Sequence, residues 1–158
     1  MKLTEIVVES AITPALGSTE RDAVLAEMVD SLVSAGALDE GIRDEVIKKL
    51  LDREEKGSTG FGRGVAVPHA KHAGVEKLVA AIGLSDRGVD FSSLDKQPVF
   101  SVFLLLSPLD QPEDHLQAME VIFKNLSKEN FRRFLRQAGS VEEVTTLLDE
   151  ADSQQLPG

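Results

Sequence analysis

Two kinds of hydrophobic spacing within one 158-residue chain predict a mixed α and β fold. Residues 19–56 and 111–152 repeat apolar side chains every three or four positions, the period of a helix with one buried face. Between them, residues 64–106 carry short apolar runs bounded by Gly and Pro, the pattern of strands. Neither an internal repeat nor a long linker divides the chain, so residues 1–152 are expected to form a single domain and 153–158 (SQQLPG) a frayed tail.

In chain order, Leu25, Met28, Val29, Leu32 and Val33 define the first helical face, with Ser18 or Thr19 available as a cap and Gly36 as a stop. A second helix begins at Asp39, carries Ile42, Val46, Leu50 and Leu51 on one side, and stops at Lys56-Gly57. Residues 65–67, 77–84 and 98–106 read as strands; the last is apolar on both faces and is therefore placed centrally. Residues 111–127 restart the helical period with Leu116, Met119, Phe123 and Leu126, and Pro112 suits a first-turn position. Phe131, Phe134 and Leu135 predict a short helix ending at Gly139. Ser140 and Glu143 then form a capping box for a last helix bearing Val144, Leu147 and Leu148.

Twenty-seven acidic residues against seventeen Lys plus Arg give a net charge of −10, which opposes affinity for nucleic acid or anionic lipid. With no Trp or Tyr, the chain has few platforms for stacking a base or a sugar ring. The absence of Cys rules out disulfides, thiolate zinc sites and a cysteine nucleophile. The longest apolar run, VFSVFLLL, falls far short of the ~20 residues that span a bilayer, so no membrane insertion is expected. The first residues lack a basic region followed by an apolar signal core, and the chain reads as a mature cytoplasmic protein.

The stretch GSTGFGRGVAVPHAK (57–71) carries the chemistry. Its four glycines can bring backbone N–H groups close to an anion, and Ser58 and Thr59 can add hydroxyl donors; the same residues also suit a tight turn. Between 53 and 71, Arg53, Lys56, Arg63 and Lys71 outnumber Glu54 and Glu55, a reversal of sign that an anion site in an acidic chain requires. His69 follows a strand and a proline. A neutral imidazole is nucleophilic at pH 7, although a hydrogen-bonded structural histidine fits the same position. His72 reads as a solvated loop residue, and His115 falls near a helix start, where the macrodipole favours the neutral ring. His69 and His72 have H-x-x-H spacing without a third ligand, and no G-x-S-x-G elbow is present, so neither a metal nor a serine hydrolase is expected.

Taken together, LDREEKGSTGFGRGVAVPHAK (51–71) and DFSSLDKQPVFSVFLLLSPLDQPEDHLQAM (90–119) closely resemble the mannitol/fructose-type IIA domains of the bacterial phosphoenolpyruvate-dependent phosphotransferase system, particularly the stand-alone nitrogen-regulatory type. The resemblance runs from the first predicted helix to the capping box. It implies an α/β three-layer sandwich: a mixed, about five-stranded sheet with helices on both faces. Two strands beyond those legible in the hydrophobic pattern are then required, with residues 89–93 and the N-terminal stretch as their candidate places.

The resemblance also implies site roles. The histidine of its G-x-[AV]-[IV]-P-H motif is His69, the phosphoryl acceptor. The histidine of its later H-L segment is His115, which positions the phosphoryl group. The arginine of its L-x-R-E segment is Arg53, which neutralises phosphate charge, while Ser58, Thr59 and Gly60 match its phosphate loop. No cofactor or metal is implied. The implied donor is HPr or its nitrogen-branch relative, and the implied targets are a IIB domain, a kinase or a transporter. The expected function is a nitrogen-regulatory phosphocarrier; a sugar-specific IIA component and a phosphate-independent regulatory binding protein are the alternatives.

Overall fold

The buried residues of the middle third alternate between two separate cores, which requires a sheet covered on both faces. The computed structural model describes residues 1–154. In chain order the elements are α1 (Leu3–Ile6), β1 (Val7–Thr13), α2 (Arg21–Ser34), a 3-10 turn (Glu40–Ile42), α3 (Arg43–Glu55), β2 (Gly60–Gly62), β3 (Val65–Ala66), β4 (His69–His72), β5 (Val79–Val89), β6 (Val99–Pro108), α4 (Pro112–Leu126), α5 (Glu129–Gln137) and α6 (Val141–Asp152).

The sheet is mixed, with strand order β1-β5-β6-β3-β2 and β4 also paired to β6. β6 is central, as its two-sided apolar pattern predicts: Phe103 and Leu105 enter one core, and Val102, Leu104 and Leu106 enter the other. β5 runs antiparallel to β6, while β3 and β4 run parallel to it. The register of β3 and β4 on β6 keeps one offset across Pro68, so residues 65–72 are one line of chain interrupted where proline lacks an N–H. The Pro68 carbonyl still accepts from Leu105 N–H. This interruption, with β1 and the short β2, yields six strands where about five were implied.

Two layers of helix cover the sheet. α2 and α3 bury Val24, Leu25, Met28, Val29, Leu32, Val46 and Leu50 on one face; α1, α4, α5 and α6 cover the other. Gly36 ends α2 as expected. Its φ of 75° is left-handed, and Gly36 and Ala37 N–H return to the Val33 and Leu32 carbonyls in a Schellman closure. Ser140 Oγ accepts from Glu143 N–H at the start of α6, as the capping box predicts. None of the helices among the described residues is long and apolar enough to cross a membrane.

Several local expectations are corrected. α2 starts at Arg21 without a side-chain cap; Glu27 instead accepts from the Gly17 and Ser18 N–H groups, closing the preceding loop from inside the helix. The N-terminal stretch does hold a strand, β1, but residues 90–93 do not: β5 simply runs on to Val89, and Asp90 makes one isolated bridge to Glu20. On α4 the buried side is His115, Ala118, Ile122, Asn125 and Leu126, while Leu116 is largely exposed. The larger apolar side chains suggested a face turned away from the real one because small Ala118 and polar His115 carry little hydrophobic signal. Part of the tail, 155–158, lies outside the described residues, whereas Ser153 and Gln154 N–H close the end of α6 on the Asp149 and Ala151 carbonyls.

Candidate functional site

β4 places His69 opposite Leu105 on β6, with its side chain on the α4 side of the sheet. Ser107 lies two residues further along β6 and faces the same way. Four residues after Pro108, α4 begins at Pro112 and turns His115 back over Ser107, whose Oγ lies 2.6 Å from His115 Nδ1. The two imidazoles then stand 5.6 Å apart between ring centroids, inclined at 54°. His69 and His115, separated by most of the sheet in sequence, thus share one site.

The His69 tautomer follows from its contact. Nδ1 is 2.9 Å from the Val67 carbonyl, which can only accept, so Nδ1 carries the hydrogen and Nε2 holds the free lone pair of the neutral ring. Burial holds the His69 pKa below its ordinary value; the Arg53 and Lys71 charges add to this, and the Val67 carbonyl and Glu54 oppose it. His115 is pushed down to about 4, first by burial and then by the charges of His69 and Lys71. Both rings are therefore neutral at pH 7.

A polar stripe on α3 aligns that helix with β4. Glu45, Lys49 and Arg53 recur every four residues and so share a face. Glu45 accepts from His72 Nε2 at 3.1 Å, Lys49 donates to the Lys71 carbonyl at 2.9 Å, and Arg53 is close enough to act on His69 electrostatically. Arg53 Nη1 donates to the Gly57 carbonyl at 2.7 Å, which holds the guanidinium at the mouth of the glycine loop. His72 is thus not a solvated loop residue: it is half-buried on β4, with Nδ1 accepting from Gly74 N–H.

The loop itself departs from the expectation for Ser58, Thr59 and Gly60. Thr59 is fully buried, and both its N–H and its hydroxyl donate to the Glu54 carboxylate, itself 4% exposed. Ser58 Oγ donates to the Phe91 carbonyl and accepts from Gly60 N–H. These donors face inward because the buried Glu54 carboxylate and the Phe91 carbonyl need partners. They shape the loop rather than offering free hydroxyls to solvent.

Sequence reasoning missed Ser107 and the Glu54–Thr59 lock, and counted Lys71 only as part of the local positive charge. The i, i+4 stripe on α3 was a usable signal for the α3–β4 alignment. A serine closing a run of buried apolar residues, as Ser107 does, was the signal for the other face.

One consequence concerns stability. His115 is protonated at about 4 when folded and near 6.5 when unfolded, so the unfolded state binds more protons between these values. Stability contributed by the neutral ring is complete above about 6.5 and is lost as pH falls toward about 4. Urea unfolding at several pH values should show this loss, and His115→Gln should flatten that part of the profile.

Comparison with known proteins places the chain in a family. Residues 5–151 match the family model described as phosphoenolpyruvate-dependent sugar phosphotransferase system, EIIA 2. The chain is 35% identical over 148 residues to a nitrogen regulatory protein of Bradyrhizobium diazoefficiens, covering 94% of this chain and 95% of that protein. It is 36% identical over 152 residues to the fructose-specific EIIABC component of Bacillus subtilis, of which it spans only 24%. Among solved structures, nitrogen regulatory protein IIA-Ntr from Neisseria meningitidis superposes with a TM-score of 0.82 at 31% identity, covering 91% of this chain and 97% of that one. The chain belongs to the EIIA type-2 family of the phosphoenolpyruvate-dependent sugar phosphotransferase system.

Proposed function

We propose that the chain is a phosphocarrier of the nitrogen-regulatory branch, accepting a phosphoryl group on His69 from a phosphorylated HPr-type donor in the cytoplasm. The observation that carries this reading is the Nδ1 contact to Val67, which leaves Nε2 of a neutral ring free beside His115. In the transfer, His69 Nε2 forms a bond to phosphorus as the donor's P–N bond breaks, and the donor imidazole keeps the electron pair. Such a step needs positioning and charge stabilisation more than acid–base chemistry.

His115 and Arg53 supply both. In the tautomer in which the Ser107 hydroxyl donates to Nδ1, His115 presents Nε2–H as a neutral hydrogen-bond donor to a phosphoryl oxygen. Arg53, at the loop mouth, brings a permanent planar charge that can bind two oxygens. Arg53→Ala should slow phosphorylation roughly 100-fold, with Arg53→Lys recovering only part of it, because a point charge lacks the fork geometry. Quenched-flow labelling measures both rates. Equal rates in wild type and Arg53→Ala would remove Arg53 from the site.

Near full-length similarity to nitrogen regulatory proteins supports the branch. The comparable identity to a fructose-specific component favours, as the second reading, a sugar IIA that passes its phosphoryl group to a IIB domain. Intact-mass analysis after incubation with phosphoenolpyruvate, Enzyme I and HPr of either branch tests the choice. Preference for the nitrogen-branch donor without onward transfer supports regulation of a kinase or transporter. Preference for the sugar-branch donor, with transfer to a fructose IIB domain, supports the second reading.

A further inference from the structure

A second concentration of positive charge lies away from His69. Between the β2–β3 turn and α5 is a cavity of about 540 Å³ lined by Arg63, Arg132, Arg133, Arg136, Glu129 and Phe100, among others. It sits beside Val65 and Ser101, whereas Ser107 and the histidine pair mark the other end of β6. At roughly 3.3 Å per residue, the strand from Ser101 to Ser107 separates the two sites by about 20 Å.

Four arginines and one glutamate line it, in a protein of net charge −10, and the Arg133 guanidinium lies over the Phe134 ring. None of the ion pairs found among the described residues uses any of the four. Arg132 donates to the Leu126 carbonyl, and the Arg136 guanidinium carbon lies 3.5 Å from the centre of the Phe100 ring. Stacking occupies the face of a guanidinium and leaves its in-plane N–H donors for an anion.

The turn supplies an independent observation. Arg63 has φ 60° and Gly64 φ 80°, a two-residue hairpin turn with consecutive left-handed residues, for which Asn-Gly is the less strained choice. Asp95 accepts from Arg63 N–H and holds the arginine in that conformation. A strained turn that sets Arg63 beside three arginines of α5 at one cavity indicates use rather than scatter.

We propose that this cavity binds a compact sugar-like organophosphate carrying two phosphate groups. The volume suits a small metabolite, and arginine forks match phosphate oxygens. Glu129 offers an acceptor to a ligand hydroxyl. A nucleobase is disfavoured because Arg136 already stacks on the Phe100 ring. An extended polyanion is disfavoured because the adjoining groove beyond Gln137 carries Glu142, Glu143 and Glu150.

The test is titration of the whole chain with fructose 1,6-bisphosphate, followed by calorimetry and amide NMR, with ATP and inorganic phosphate as parallel probes. Saturable binding is expected that weakens between about 50 and about 200 mM salt, with shifts centred on Arg63, Gly64, Ser101 and Gln137. Arg133→Gln/Arg136→Gln, both exposed positions, should weaken it at least about tenfold with an unchanged thermal melt. His69→Gln should leave it unchanged. Absence of saturable binding, insensitivity to the double variant, or shifts centred on His69 and His115 would overturn the site. Tighter binding of ATP would overturn the sugar-like body, and equal binding of inorganic phosphate the need for two phosphates. Phosphorylation of His69 is read separately by mass, so either assignment can fail alone.

Discussion

His69→Gln protein incubated with phosphoenolpyruvate, Enzyme I and HPr gains no phosphoryl group, while wild type gains one. Glutamine is the informative replacement because its amide N–H can still reach the Val67 carbonyl that His69 Nδ1 contacts at 2.9 Å. What it lacks is the nucleophilic lone pair, so the loss reports chemistry rather than folding. Ser10→Ala, on the exposed side of β1, serves as the control and labels normally. The rate should also stay level as pH falls from 8 toward 6.5, because burial and the Arg53 and Lys71 charges keep His69 neutral below its ordinary pKa. Normal labelling of His69→Gln would move the acceptor elsewhere, and His115 would be the next residue to replace.

Phe103→Ala destabilises the fold by about 3–5 kcal/mol, the usual cost of emptying a fully buried aromatic position. Phe103 is 0% exposed on the central strand, with its ring 6.4 Å from that of Phe131 on α5. Truncation opens a cavity between sheet and helices in a core with no spare large aromatics to refill it. The midpoint of thermal unfolding should fall by roughly 10 °C. Leu109→Ala, at a side chain 54% exposed, should change stability by less than about 0.5 kcal/mol. Guanidinium unfolding of the two variants separates these expectations; a Phe103→Ala protein as stable as wild type would mean that the two-sided burial of β6 is not what holds the layers together.

The parts of the molecule legible in sequence are those whose signal is local. The α2 face from Leu25 to Val33, the Gly36 stop and the Ser140 cap each depend on side chains within a turn or two, and each forms where expected. β6 was legible as central because nothing but burial on both sides explains PVFSVFLLL. β2 and β4 were not legible: three and four residues long, rich in Gly and His, they exist only because β3 and β6 offer them backbone partners. Leu116 misled for a related reason. A large apolar side chain beside His115 suggests a core position, yet the face of α4 that meets the sheet is set by where β6 and the short loop after Pro108 launch the helix.

The same division applies to the chemistry. Sequence alone determined the components: a histidine after Val-Pro, an arginine in the last turn of a helix, a glycine loop of reversed charge, and a histidine near a later helix start. Tertiary structure decided their states. It brought His69 and His115 to 5.6 Å, chose the His69 tautomer through Val67, oriented His115 through Ser107, and turned Thr59 inward onto Glu54. It also gathered Arg63 and three arginines of α5 around one cavity. Propensity and periodicity act over a few residues and can be read along the chain. Burial, tautomer and electrostatic coupling depend on which distant groups share a volume, and only the packed sheet with its two helical layers defines that.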